Sequence, residues 1–351
     1  MCTLGLPLPL PGFLVTSPTR ITVLSAGTWG ITLASLLQGK GCAVRVWEYD
    51  QGVVDVLKTK RVHPKLPQLI IPEAIVLGSD MAAMVKGAEV IVCVVPAAHL
   101  RQTARTLARA GYAGQPVVIC TKGIEQGTHA LPVDVVTEEL GPTSRSKLAI
   151  LSGPSHAEEV SLAMPTAITA AAEDPELAER VRELFMTPRF RVYTQTDLRG
   201  VELGAALKNV IAIACGISDG LGFGDNAKAG LITRGLSEIL RLGVAMGAKP
   251  ETFFGLAGVG DLVVTCMSRH SRNWKFGSLV GKGVPIDQAL AEVGMVVEGY
   301  YTARAAVELA GIKHVDMPIS QAVVQVCFEG KKPLDTVASL MLRDPKSEMQ
   351  R

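Results

Sequence analysis

Aromatic residues make up only 5% of this 351-residue chain and charged residues 19%, against 48% hydrophobic, so the apolar content is mainly aliphatic. Such a chain is not a disordered polyelectrolyte, because it has the apolar surface needed to offset ordering entropy. A surplus of charge of one sign is missing too: 35 basic and 33 acidic side chains leave a formal net charge of +2. No broad field is there to gather nucleic acid or an anionic membrane, and any anion recognition must be local. The glycines follow no three-residue period, which excludes collagen.

There is no CxxC pair. Seven cysteines (Cys2, Cys42, Cys93, Cys120, Cys215, Cys266, Cys327) are odd in number, widely spaced and mostly set in apolar runs such as Val90–Val95. That is the pattern of buried free thiols in a reducing compartment, so a cytoplasmic location is expected and no metal site is expected. Apolar runs stop short of the roughly 20 residues a bilayer needs. Lys208 and Asn209 interrupt Leu203–Ile217, for example, and no membrane span is expected. The first 19 residues are apolar, but they have no basic start and carry Pro7, Pro9 and Pro11. They are poor material for a signal peptide and are expected to form a flexible or surface-hugging extension, with a misplaced start codon as the alternative.

The length suits two domains. From residue 20 to about 200, short β-branched runs alternate with helical stretches. Strands are expected at Ile21–Ser25, Ala43–Glu48, Val90–Val95, Pro116–Cys120, Leu148–Ser152, Thr166–Ala171 and Phe190–Tyr193. Helices are expected at Ile31–Gln38, His99–Arg109, Pro132–Leu140, Ser155–Ala163 and Pro175–Phe185. Continuous apolar strands alternating with helices predict an α/β domain: a Rossmann-like, doubly wound, mostly parallel sheet covered on both faces. From about residue 201 to 345 the spacing turns to threes and fours, and an all-helical second domain is expected.

The segment Ile21–Ala34 reads as a strand, a tight turn and a helix start. It matches the second and third glycines of a dinucleotide fingerprint at Gly27 and Gly30, with Ser25 in place of the first. Such glycines let backbone approach a pyrophosphate and pack the helix, whose N-terminus offers N–H donors. Glycine-rich turns also occur for purely structural reasons; position in the first strand of an α/β domain is what raises this one. Glu48, at the second strand end about 20 residues on, suits ribose hydroxyls and disfavours a 2′-phosphate. It reads equally well as a solvated strand-end carboxylate.

Lys122 follows a buried strand in Thr121-Lys122-Gly123, and Ser152-Gly153-Pro154-Ser155 leads from another strand into a helix. Lys208 stands in an apolar helix, where a lysine is costly unless paired or deprotonated. It is either a structural ion pair or a proton-transfer group with a lowered pKa. Gly260-Asp261-Leu262 with Thr265, followed by Ser271-Arg272-Asn273, adds a carboxylate and a forked anion donor suited to a terminal phosphate.

Together with Ala26–Gly30, Ala206–Val210 and Val296-Val297-Glu298-Gly299, these motifs make the chain resemble the bacterial-type NAD(P)-dependent glycerol-3-phosphate dehydrogenases from about residue 21 to 345. The resemblance implies reduction of dihydroxyacetone phosphate to sn-glycerol 3-phosphate, for glycerophospholipid synthesis, by a homodimer using NAD or NADP. It implies that Lys208 is the proton donor and acceptor and that Lys122 bridges substrate and cofactor. Gly153, Ser155, Asp261, Thr265, Ser271, Arg272 and Asn273 would complete the substrate site. Thr28, Trp29, Tyr49, Ala157, Arg272, Val296 and Glu298 would touch the cofactor.

Two positions depart from the family pattern: Ser25, where the family has glycine, and His156, where it has an aromatic or bulky residue. His156 reads as a surface or capping residue. The acidic strand end Trp47-Glu48-Tyr49-Asp50 points to a preference for NAD. The rival readings are a related two-domain dehydrogenase for another hydroxy acid and a non-catalytic dinucleotide sensor, which would have no use for Lys208, Lys122 or Asp261.

Overall fold

The structure is a computed structural model that describes residues 18–345 and 347. The extension expected over residues 1–19 lies almost wholly outside the described residues, as does Cys2.

The first half runs β1 (Arg20–Leu24), α1 (Thr28–Gly39), β2 (Ala43–Trp47), α2 (Gln51–Lys60), β3 (Val62–His63), β4 (Leu66–Ile70) and β5 (Val76–Gly78). It continues with α3 (Met81–Val85), β6 (Val90–Cys93), α4 (Ala97–Arg109), β7 (Val117–Ile119), α5 (Pro132–Leu140) and β8 (Leu148–Ser152). It closes with α6 (Ala157–Ser161), β9 (Thr166–Ala172), α7 (Pro175–Phe185) and β10 (Phe190–Gln195). The helical half follows as α8 (Leu198–Gly220), α9 (Asp225–Ala245), α10 (Asp261–Met267) and α11 (Arg272–Gly281). The last elements are α12 (Ile286–Val293), α13 (Glu298–Ile312), α14 (Pro318–Phe328) and α15 (Pro333–Met341).

The strands form an eight-stranded sheet in the order β10-β9-β8-β7-β6-β1-β2-β5, parallel except where β9 runs against β8. Alternate residues feed the two faces: Val90 and Val92 enter one core, Ile91 and Cys93 the other. Both faces are therefore covered, as the unbroken apolar runs require. The antiparallel step departs from simple winding for a physical reason. A parallel return needs a crossover helix lying on the sheet, but the link after β8 holds only the five-residue α6, so the chain turns straight back and Ser152 pairs with Thr169. The helix expected at Ser155–Ala163 is accordingly shorter, with Ala163 at φ +53° where it stops.

Strand order reverses at β1, with β6 on one side and β2 on the other. Ligands in such sheets bind outside the carboxyl ends at this crevice. The hairpin β3–β4 reaches across its mouth: Lys65 donates to the Gly294 carbonyl, and Gln68 donates to Ser161 Oγ at 3.0 Å.

By length and composition α8 could cross a membrane, yet 94% of its most apolar stretch is buried inside the protein. It is the axis of the helical half. α11 lies against it through glycines: a methyl at Gly216 would come within 2.2 Å of the Trp274 carbonyl, and one at Gly277 within 2.2 Å of the Ile213 carbonyl. Backbone therefore meets backbone, which brings Arg272 and Asn273 beside the middle of α8.

Candidate active site

The β1–α1 turn is built around a residue that glycine would suit better. Ser25 adopts φ +93°, a region costly for a residue with a Cβ, at about 1–2 kcal/mol. Gly27 caps α1 without any side-chain hydrogen bond, and the first helical bond is Ile31 N–H to Gly27 C=O at 2.9 Å. The N–H groups of Thr28, Trp29 and Gly30 are thus free for an anion. A methyl on Gly30 would fall 2.1 Å from the Ser25 carbonyl, so the glycine is needed for helix–strand approach. We expect Ser25→Gly to stabilise the protein by about 1 kcal/mol, because relieved strain exceeds the extra unfolded-state entropy. Thermal unfolding should show a rise of about 2 °C; a fall would mean that Ser25 is not strained.

Glu48 is buried at 7% exposure and is not a solvated strand-end carboxylate. Its Oε2 accepts the Ala26 N–H at 2.9 Å, which ties the second strand to the turn. Tyr49 beside it is 78% exposed.

At the same crevice, three side chains from distant parts of the chain converge. Lys122 Nζ donates to Asp261 Oδ2 at 2.8 Å, and Lys208 Nζ donates to Asp261 Oδ1 at 2.5 Å and to Thr265 Oγ1 at 2.7 Å. Thr265 in turn donates to the Asp261 carbonyl at 2.6 Å. Asp261 and Lys208 are only 1% and 5% exposed. Burial lowers the Lys208 ammonium to about 7; the Asp261 carboxylate opposes the shift and the Lys122 charge adds to it. Burial pushes the Asp261 carboxyl up, but the two ammonium groups outweigh it and hold the group below its usual range.

Gly123, next to Lys122, packs so closely that a methyl there would lie 2.8 Å from the Ala97 Cβ. Glu298, at the start of α13, accepts the Ala97 N–H at 3.2 Å, and burial pushes its carboxyl up to about 7. Lys122 is thereby held between the two halves. Val296 precedes α13 in a half-buried stretch, and Ala157 opens α6 as a buried residue. On the β8–α6 turn, Ser155 Oγ donates to the Gly153 carbonyl at 3.0 Å.

The Ser271-Arg272-Asn273 group divides its tasks. Ser271 caps α11 by accepting the Trp274 N–H, so its own hydroxyl proton stays available. Asn273 donates to Asn209 Oδ1 at 2.9 Å and accepts the Gly299 N–H at 2.9 Å, locking α8, α11 and α13 together. One amide N–H remains for a ligand. Arg272 is exposed and has no ion pair among the described residues.

The pattern matches two family models, described as the N-terminus and the C-terminus of NAD-dependent glycerol-3-phosphate dehydrogenase, over residues 20–178 and 197–338. The chain belongs to the NAD-dependent glycerol-3-phosphate dehydrogenase family. A glycerol-3-phosphate dehydrogenase (NAD(P)+) of Geobacillus thermodenitrificans is 48% identical over 332 residues, 94% of this chain and 96% of that one. One from Prosthecochloris aestuarii is 47% identical over 330 residues, 94% and 99% of the two chains. The crystal structure of the Coxiella burnetii glycerol-3-phosphate dehydrogenase superposes with a TM-score of 0.89 at 38% identity, covering 93% of this chain and 99% of that one. D-mandelate dehydrogenase, at 14% identity and a TM-score of 0.61, shares the fold alone.

Within this member of the glycerol-3-phosphate dehydrogenase family, the sequence motifs did not reveal that Asp261 holds both lysines. Nor did they reveal α11: Ser271 as cap followed by Trp274, Phe276, Leu279 and Val280 was the available signal. His156 stands at the N-cap position of α6, but its side chain makes no cap hydrogen bond; the residue is half-buried and its Nε2 is fully buried, so it is not a surface residue.

Proposed function

We propose that this protein is an NAD(P)-dependent sn-glycerol-3-phosphate dehydrogenase that reduces dihydroxyacetone phosphate, with NADH preferred. The observation that carries the reading is the Lys122–Asp261–Lys208 chain of ion pairs, with Asp261 and Lys208 buried, in a protein that also offers an uncapped α1 N-terminus and an arginine, Arg272, with no ion pair among the described residues. The α1 turn, Ser25 to Gly30, fits a pyrophosphate through its free N–H groups. Glu48, Tyr49, Ala157, Val296 and Glu298 line the rest of the cofactor path. Bound there, the nicotinamide supplies the hydride in reduction and takes it in oxidation.

Lys208 gives a proton to the C2 oxygen in reduction and removes it in oxidation, a task suited to a group titrating near 7. Lys122 stabilises charge on that oxygen, and Asp261 aims both ammonium groups. Thr265 fixes the Lys208 rotamer by accepting its hydrogen bond. Arg272 grips the phosphate with its fork, helped by the Ser271 hydroxyl and the remaining Asn273 N–H. Gly153 and Ser155 present the turn that faces the substrate. The cofactor half ends near residue 200, where α8 begins, and the protein works as a cytoplasmic homodimer whose product feeds glycerophospholipid synthesis.

The test is NADH oxidation with dihydroxyacetone phosphate, repeated with NADPH. Turnover with kcat/KM higher for NADH is expected, because the carboxylates of Glu48 and Asp50 oppose a 2′-phosphate; a higher value for NADPH would overturn the preference. Arg272→Lys should raise KM for dihydroxyacetone phosphate about tenfold, as the bidentate fork is lost. An unchanged KM would remove Arg272 from the phosphate site.

A further inference from the structure

Among the described residues, five buried side-chain polar atoms lack a hydrogen-bond partner, and two of them bracket one turn: Ser152 Oγ and His156 Nε2. Buried polar groups are normally satisfied, so unsatisfied ones gathered at a binding turn point to a ligand that completes them. The turn between them is Gly153-Pro154-Ser155, at the carboxyl end of β8. A methyl on Gly260, the residue before Asp261, would lie 3.8 Å from Pro154 Cδ, so the turn abuts the start of α10.

The His156 ring itself lies 5.8 Å, centroid to centroid, from that of His270, in the loop that leads to Ser271 and Arg272. It is also near enough to Lys208, Asp261 and Lys122 for their charges to act on the ring, so it adjoins both the lysine cluster and the loop that leads to Arg272. Burial, then the positive charge of Lys208, lower the imidazole to about 4, so the ring is neutral near pH 7. A neutral imidazole is a weak partner for a phosphate dianion, but with one N–H and one lone pair it suits a hydroxyl.

The substrate has three polar parts. Arg272 takes the phosphate and Lys208 the C2 oxygen, which leaves the primary hydroxyl on C1 without an assigned partner. We propose that His156 Nε2 holds the C1 hydroxyl of the substrate and makes the site selective for a hydroxyketone phosphate over its deoxy analogue. The assignment rests on the reaction proposed above.

The experiment compares dihydroxyacetone phosphate with acetol phosphate, which carries a methyl group in place of the C1 hydroxymethyl. The wild type should favour dihydroxyacetone phosphate in kcat/KM by about 10- to 100-fold, the range for a site that hydrogen-bonds a substrate hydroxyl less tightly than the strictest cases. His156→Phe, which keeps a ring without nitrogens, should bring the ratio close to one through loss on dihydroxyacetone phosphate, with KM for NADH unchanged. His156→Gln, which keeps a terminal amide at similar reach, should restore part of the preference. A ratio in His156→Phe equal to that of the wild type overturns the assignment alone. Absence of any turnover of dihydroxyacetone phosphate by the wild type overturns the reaction and the assignment with it.

Discussion

Lys208→Ala is expected to lower kcat for ketone reduction by about three orders of magnitude, within the range for a general acid, while Kd for NADH moves by less than about twofold. The two halves of this result separate the roles that a buried lysine can play. A lysine serving as a structural ion pair would, on removal, leave Asp261 with one partner and loosen α8 against α10. The damage would then appear as a lower melting temperature and weaker cofactor binding. A proton-transfer lysine leaves binding intact and removes the chemistry, because Lys122 still neutralises Asp261 from its other oxygen at 2.8 Å. Added primary amines should restore part of the rate. Loss of NADH binding would sink the assignment.

Asp261→Asn should be nearly as damaging, with about a 100-fold loss in reduction at neutral pH, and its pH dependence identifies the cause. In the wild type Lys208 titrates near 7, so reduction, which needs the protonated amine, should fall as pH rises through that value. Oxidation needs the free amine and should rise through it. The Asp261 carboxylate raises the Lys208 pKa, whereas Lys122 lowers it. Removing the carboxylate while keeping the side-chain volume leaves only burial and the second cation, both of which favour the neutral amine. The descending limb of kcat/KM for reduction should move to lower pH by more than about one unit, with oxidation less affected. A limb that stays in place would show that the titrating group is not Lys208.

Much of the cofactor half was legible because its signals are local. Val90–Cys93 and the Leu148–Leu151 stretch of β8 are unbroken apolar runs, as expected of strands buried on both faces. Gly30 was recognisable by its place in the turn. The hairpin β3–β4, with its short and partly exposed strands, offered no comparable period, and α2, which Asp50 caps, was not among the expected helices. The lysine cluster was legible as a set of costly residues but not as an arrangement. Asp261 stands 139 residues from Lys122 and 53 from Lys208, and no spacing rule reaches so far. The packing role of Gly216 and Gly277 was not legible, because each meets the backbone of a helix about 60 residues away in sequence.

That glycine seam between α8 and α11 makes the span from the proton-transfer amine to the phosphate fork a stepwise quantity. Side-chain packing can be adjusted by a fraction of an ångström through rotamer changes, but two backbones in direct contact can only stay together or be forced apart by a whole methyl group. Arg272 leads the first turn of one helix, and Lys208 sits near the middle of the other. The site therefore measures its substrate with a rigid gauge. A longer sugar phosphate cannot be admitted by gradual loosening of this seam; any widening has to come from the turns at Gly153 and Gly260 instead.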